Sequence, residues 1–236
     1  MIRIAVLASG GGTNLGALLE ACAGGQIDGR VEVVLSNVPG AGALERARAA
    51  GTAIEIVPSK GVDRESHDAE VIARLSRHAP DLVCLAGYMR LLTPRFVSAY
   101  GPTASTRGCP RIMNIHPALL PSFPGLHAQR QALAYGARFS GCTVHFVDEG
   151  TDSGAIIVQA VVPVLESDTE EALAARILSE EHRVYPRAVQ WFAQGRLALE
   201  GRRVTVRGTR APEPLALRSP WDPPDEIVAR LDDSRK

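Results

Sequence analysis

No uninterrupted apolar run in the sequence approaches the roughly 20 residues that a bilayer-spanning helix needs, and the first residues, MIRIAVLASGGG, lack a charged segment followed by a long apolar core. A membrane protein and a leader peptide are therefore not expected. An excess of charge of one sign is missing too: Lys plus Arg number 26 and Asp plus Glu 26, so no overall field exists to gather nucleic acid. Small molecules are the expected partners. The four cysteines, Cys22, Cys84, Cys109 and Cys142, form no C-x-x-C pair, which fits reduced thiols of a cytoplasmic protein better than a disulfide frame or a zinc site. No internal repeat is present. What remains is 236 residues, 45% of them hydrophobic, enough for one α/β domain with its own core and tight for two.

The pattern alternates strand and helix. Ile2 to Ala8 reads as a strand buried on both faces and runs straight into Ser9-Gly10-Gly11-Gly12-Thr13-Asn14. Helical spacing follows at Leu15, Leu18, Leu19 and Cys22, ended by Gly24-Gly25. A glycine loop between a first strand and a helix exposes backbone N–H groups and the helix dipole to a phosphate. It is neither G-x-G-x-x-G nor a Walker sequence, so a dinucleotide or nucleoside triphosphate is not the first expectation. Strands over Val31–Ser36 and Ala53–Val57 flank a helix over Ala41–Ala50. Asp63 caps a helix to about His78, with Val71, Ile72 and Leu75 inward and Arg64, Glu65, Asp68 and Arg74 on a solvated face. Leu82–Ala86 is a fourth buried strand, and Met89, Leu91 and Leu92 after it are placed to line a crevice wall. Thr93-Pro94 opens a short helix to Tyr100, and Gly101 to Arg111 reads as an exposed loop. Further on come a helix over His127–Tyr135, a strand over Cys142–Val147 containing His145, a turn-rich segment to Gly154, and a strand over Ala155–Leu165. A helix capped by Ser167 or Asp168 runs towards Gly195, and Pro186 is expected to kink or break it. Leu197–Val206 suits a small hairpin around Gly201. The expected fold is α/β, with a mostly parallel, doubly wound sheet, helices on both faces, and ligands at the carboxyl ends of the strands. We expect a single domain over 1–207, with a phosphate-binding half over 1–100 and a catalytic and folate-binding half over 112–207, and a flexible tail over 208–236.

Met113 to His127, MNIHPALLPSFPGLH, is a strand end followed by a loop that Pro117, Pro121 and Pro124 keep out of helix and sheet. Alternation points Asn114 and His116 to the same face. An amide and an imidazole side by side can donate two hydrogen bonds to one oxygen, as a carbonyl turning into an oxyanion requires. A metal set of His116, His127, His145 and Asp152 lacks any H-E-x-x-H or cysteine pair. A serine hydrolase lacks the G-x-S-x-G elbow, and Ser122 lies between prolines with no helix behind it. Asp152 joins a site only if its loop folds back over Asn114 and His116.

The motifs Ser9-Gly10-Gly11-Gly12-Thr13-Asn14-Leu15, Ala86-Gly87-Tyr88-Met89-Arg90-Leu91-Leu92, Asn114-Ile115-His116-Pro117, Leu120-Pro121, Pro124-Gly125-Leu126-His127 and Asp152-Ser153-Gly154 together resemble the folate-dependent phosphoribosylglycinamide formyltransferase family, from Ile2 to about Leu199. The resemblance implies a Rossmann-like formyltransferase fold. It implies transfer of a formyl group from the co-substrate 10-formyltetrahydrofolate to the amine of 5-phosphoribosylglycinamide in purine synthesis, without a metal. Gly11, Gly12, Thr13 and Asn14 would then hold the ribonucleotide phosphate and Glu181 its ribose. Arg64, Met89, Arg90, Leu91, Leu92 and Asn114 would contact the folate, and Asn114, His116 and Asp152 would be the catalytic trio. A cytoplasmic monomer or homodimer is implied. Gly101 to Arg111 is longer than the family's usual linker, and the tail after about Arg207 is extended. Methionyl-tRNA formyltransferases and formyltetrahydrofolate hydrolases share the catalytic core. Neutral charge and the missing nucleic-acid-binding domain speak against the first, and the phosphate loop and the lack of an N-terminal regulatory domain against the second. A nucleotide sensor without activity is a further alternative, against which the intact trio and phosphate loop speak.

Overall fold

The computed structural model describes residues 1–208; residues 209–236, and with them nearly all of the expected tail, lie outside the described part. Seven strands form one sheet in the order β3-β2-β1-β4-β5-β6-β7. They are β1 (Ile2–Leu7), β2 (Gly29–Ser36), β3 (Ala53–Ile56), β4 (Leu82–Leu85), β5 (Ile112–His116), β6 (Phe139–Phe146) and β7 (Ile156–Pro163). The first five are parallel, β6 runs antiparallel to β5, and β7 runs antiparallel to β6 and so returns to the direction of the first five. The mostly parallel α/β sheet expected from the sequence is therefore observed.

Alternation divides the core between the two faces of the sheet. Ile4 and Val6 pack with Leu15 and Leu18 of α1 (Thr13–Ala23) and with Leu173, Ile177 and Tyr185 of α6 (Glu170–Ala193). Ala5 and Leu7 pack the other way, with Val71 and Leu75 of α3 (Arg64–Ser76) and Phe96 of α4 (Pro94–Ala99). Helices α2 (Gly42–Ala49) and α5 (Ala128–Tyr135) join the first face through Ala43, Ala47 and Ala132. Each fully buried Leu or Ile contributes about 1.5–3 kcal/mol, so the central strands are the most strongly determined elements. Among the described residues no helix is long and apolar enough to cross a membrane.

The chain builds β1, β2 and β3 outward in one direction and then returns to place β4 on the other side of β1. The carboxyl ends of β1 and β4 thus diverge into a crevice, the usual ligand site of such sheets.

Several local expectations are corrected. Asp68 is fully buried, not solvated: it sits three and seven residues before Val71 and Leu75, on the inward stripe of α3, and accepts the backbone N–H of Thr93 at 2.7 Å. The Gly101–Arg111 segment is the mostly exposed loop expected, and it is also anchored. Ala104–Thr106 is a 3-10 turn, Cys109 is only 1% exposed, Arg111 donates to the carbonyls of Gly101 and Ala99, and Leu199 N–H donates to Arg107. Its partner is the terminal hairpin of β8 (Leu197–Glu200) and β9 (Arg203–Val206), too distant in sequence for local composition to reveal. Thr169, and neither Ser167 nor Asp168, caps α6 by accepting from Ala172; Asp168 is held instead by Arg176 at 2.7 and 2.8 Å. Pro186 does not break α6, because it removes one donor from a 24-residue helix whose buried face, including Tyr185, Ala188 and Val189, holds it on both sides. The phenol of Tyr185 donates to the carbonyls of Leu85 and Met113, at 3.0 and 3.1 Å, pinning the helix to β4 and β5.

Candidate active site

Asn114 and His116 stand on one face of the last residues of β5. The antiparallel register sets His145 of β6 directly opposite Asn114, so the second histidine joins the same face. Asp152 lies in the β6–β7 connection with a left-handed backbone, φ 50°, and its carboxylate folds back onto all three. Oδ2 is 3.3 Å from Nδ1 of His116 and accepts Gly125 N–H at 2.8 Å, while Oδ1 is 3.5 Å from Asn114 Nδ2 and 3.7 Å from His145 Nε2. The fold-back that a role for Asp152 required is present.

Hydrogen-bond accounting fixes the protons. The Nε2 of His116 lies 2.9 Å from the carbonyl of Phe123, which only accepts, so this nitrogen carries a hydrogen. The Nδ1 of His145 is 2.8 Å from the Phe146 carbonyl and is likewise protonated, which leaves His145 Nε2 to accept from Asn114 Nδ2 at 3.1 Å. Burial pushes the His145 pKa down, with the charge of Asp152 opposing, so the ring is held neutral. The Asn114 amide then has one strong partner and one long one. The contact to Asp152 at 3.5 Å is the bond it can most easily exchange for the oxygen of a ligand.

The glycine loop lies at the carboxyl end of β1. Gly12 has φ 72°, and a Cβ there would fall 2.7 Å from Ala43 Cα, so the approach of the loop to α2 admits only glycine. Arg46 Nε braces it by donating to the Gly11 carbonyl at 2.8 Å. No side chain caps α1, whose first N–H groups are thus available to an anion. Asn14 Nδ2 donates to Glu181 Oε2 at 2.7 Å across to α6. Glu181 is 6% exposed, and burial raises its pKa against the opposing bond from Asn14. Beside them a cavity of about 290 Å3 is lined by Thr13, Glu20, Arg46 and His182, and the buried Nε2 of His182 has no hydrogen-bond partner.

At the end of β4, Met89 and Leu91 are 66% and 53% exposed, while Leu92 is buried and gives its carbonyl to Arg64 Nη2 at 3.0 Å. Arg90 turns away to donate to the carbonyls of Ser59 and Val62. An exposed apolar pair on a segment fixed at both ends is a surface suited to a flat ring.

A family model described as formyl transferase matches residues 2–189. The chain belongs to the formyl transferase family. It is 44% identical over 212 residues to phosphoribosylglycinamide formyltransferase of Escherichia coli strain K12, covering 89% of this chain and 96% of that protein. It is 48% identical over 196 residues to the trifunctional purine biosynthetic protein adenosine-3 of Drosophila melanogaster, covering 82% of this chain and 14% of that much longer protein. The crystal structure of glycinamide ribonucleotide transformylase 1 from Symbiobacterium toebii superposes with a TM-score of 0.82 at 54% identity, covering 87% of this chain and 94% of that one. The resemblance read from the motifs is borne out.

Within this formyltransferase the structure gathers Asn114 with His116 and Asp152, Asn14 with Glu181, and Arg64 with Leu92. His127 heads α5 as its N-cap. Among the described residues no group of three or more His, Cys, Asp or Glu side chains is arranged to hold a metal ion. The sequence placed His145 on a strand and in a disfavoured metal set, and not beside Asn114. Its signal was the β5–β6 pairing, since a histidine opposite Asn114 must share its face.

Proposed function

We propose that this formyltransferase moves the formyl group of 10-formyltetrahydrofolate to the amine of 5-phosphoribosylglycinamide, giving 5-phosphoribosyl-N-formylglycinamide in purine synthesis. The observation that carries the proposal is the Asp152 carboxylate set against Asn114 and His116, on the sheet edge that also carries the glycine loop. The name and coverage of the Escherichia coli relative support this choice of acceptor.

In this reading Gly11, Gly12, Thr13 and Asn14 receive the phosphate at the start of α1, and Glu181 receives the ribose. Met89, Leu91 and Leu92 cover the pterin, with Arg64 and Arg90 holding their segment in shape. The neutral amine attacks the formyl carbon and charge grows on the formyl oxygen. Asn114 exchanges its long contact with Asp152 for that oxygen. Both nitrogens of His116 are engaged, one by Phe123 and one by Asp152, so His116 donates to the oxygen only when the Phe123 carbonyl gives way. Asp152 faces Nδ1 of His116 at 3.3 Å and accepts the proton that the amine must lose, directly or through water. Collapse of the tetrahedral intermediate returns a proton to N10 of the departing folate. None of these steps needs a metal. The protein would work in the cytoplasm as a monomer or homodimer.

Incubation of the purified protein with 10-formyltetrahydrofolate, with and without the ribonucleotide, tests this reading. We expect tetrahydrofolate and N-formylated ribonucleotide to appear together, one for one. Folate deformylation at the same rate without the ribonucleotide would point to water as acceptor and overturn the proposal.

A further inference from the structure

One hydrogen-bonded chain crosses the carboxyl ends of four adjacent strands in sheet order. Ser59, beyond β3, accepts from Asn37 Nδ2 at 2.9 Å. Asn37 directly follows β2, is 6% exposed, and accepts from the hydroxyl of Ser9 at 2.6 Å. Ser9, beyond β1, accepts in turn from the backbone N–H of Met89, beyond β4, at 2.8 Å. The directions run consistently along the chain. The Met89 N–H can only donate, the Ser9 hydroxyl gives its own proton to Asn37 Oδ1, and the Asn37 amide nitrogen faces Ser59. The arc is reinforced by Ser9 N–H to the Gly87 carbonyl at 3.0 Å, and Arg90 reaches back to the Ser59 carbonyl at 3.4 Å.

This chain joins two segments that the proposed function assigns to different substrates. Ser9 opens the glycine loop, and Met89 opens the exposed apolar segment. We infer that Ser9 and Asn37 are positioning residues that tie the phosphate loop to the folate-binding segment, so that loss of either disturbs both substrate sites at once. Neither is needed to reach the reacting atoms. Their effect comes from aligning the two strand ends, and a directional chain of this kind is weakened throughout when one member is removed.

The inference rests on the functional reading for its kinetic arm only. Ser9→Ala and Asn37→Ala are each expected to raise KM for both substrates by about tenfold, the equivalent of one lost hydrogen bond. Turnover at saturation should stay within about threefold of the parent, because the trio is untouched. In ligand-free protein, hydrogen exchange at the Met89 amide should accelerate by about tenfold or more in both variants. A KM increase confined to one substrate, or an unchanged Met89 exchange rate, would overturn the inference. An inactive parent would defeat the functional reading instead, and the exchange rates would still decide this one. Should Ser9→Ala fail to fold, Asn37→Ala carries the same test.

Discussion

The Asn114 amide donates to Nε2 of His145 at 3.1 Å, and this bond exists only while that nitrogen is unprotonated. His145 therefore fixes the orientation of the Asn114 amide.

Acidification should break this arrangement. Burial lowers the His145 pKa from its ordinary value of 6.5, so the folded protein binds fewer protons here than the unfolded chain does. The stability that this contributes is complete above that value and is lost as pH falls through the window below it. We expect kcat to decline over the same window as the Asn114 partner disappears. His145→Ala should lower kcat by about tenfold or more at neutral pH, through loss of one oriented hydrogen bond. Titration of the ring nitrogens by NMR, beside a pH–rate profile, checks both.

Glu181 shows the opposite sign. Burial raises its pKa, so the stability of its protonated form is lost as pH rises through that raised value, and the charge is carried at a cost at neutral pH. Glu181→Gln keeps an acceptor for Asn14 while removing the charge. We expect a higher Tm together with a KM for the ribonucleotide raised by about tenfold, since a hydrogen bond to a charged group is worth about 1.5–3 kcal/mol. Thermal melts and initial rates measure the two effects separately.

Two glycines of the loop proposed to hold the phosphate, Gly11 and Gly12, should separate binding from folding. A Cβ at Gly11 meets nothing within 4 Å in the ligand-free protein, whereas one at Gly12 strikes Ala43 and adopts φ 72°. Gly11→Ala should therefore leave Tm nearly unchanged and raise KM for the ribonucleotide far more than for the folate. Gly12→Ala should lower Tm by about 5 °C or more, from strain of about 1–3 kcal/mol plus the clash.

What was legible in the sequence was what depends on neighbours along the chain. Ile2–Leu7 and Leu82–Leu85 declared themselves as buried strands because both faces are covered, and Thr93-Pro94 as a helix start through its cap. Asn114 and His116 were visible because alternation sets their common face. Illegible were features that need a distant partner. Asp68 was assigned to solvent because it is charged, and its burial is explained by the Thr93 N–H on one oxygen and the His67 ring beside the other. Gly101–Arg111 is exposed as expected, but its anchoring was hidden because Leu199, which donates to Arg107, is 92 residues further on. His145 needed the register of β6 before it could be seen beside Asn114.

In the proposed mechanism Asp152 acts through its charge, beside His116 and on the attacking amine. Asp152→Asn keeps the shape and an oxygen to face Gly125 N–H, but it removes the charge and the base. We expect its kcat at neutral pH to fall by about 10²–10³ or more, at least as far as that of Asn114→Ala, with a folate analogue still bound nearly as tightly as by the parent. Turnover of Asp152→Asn close to the parental value at neutral pH would contradict the account.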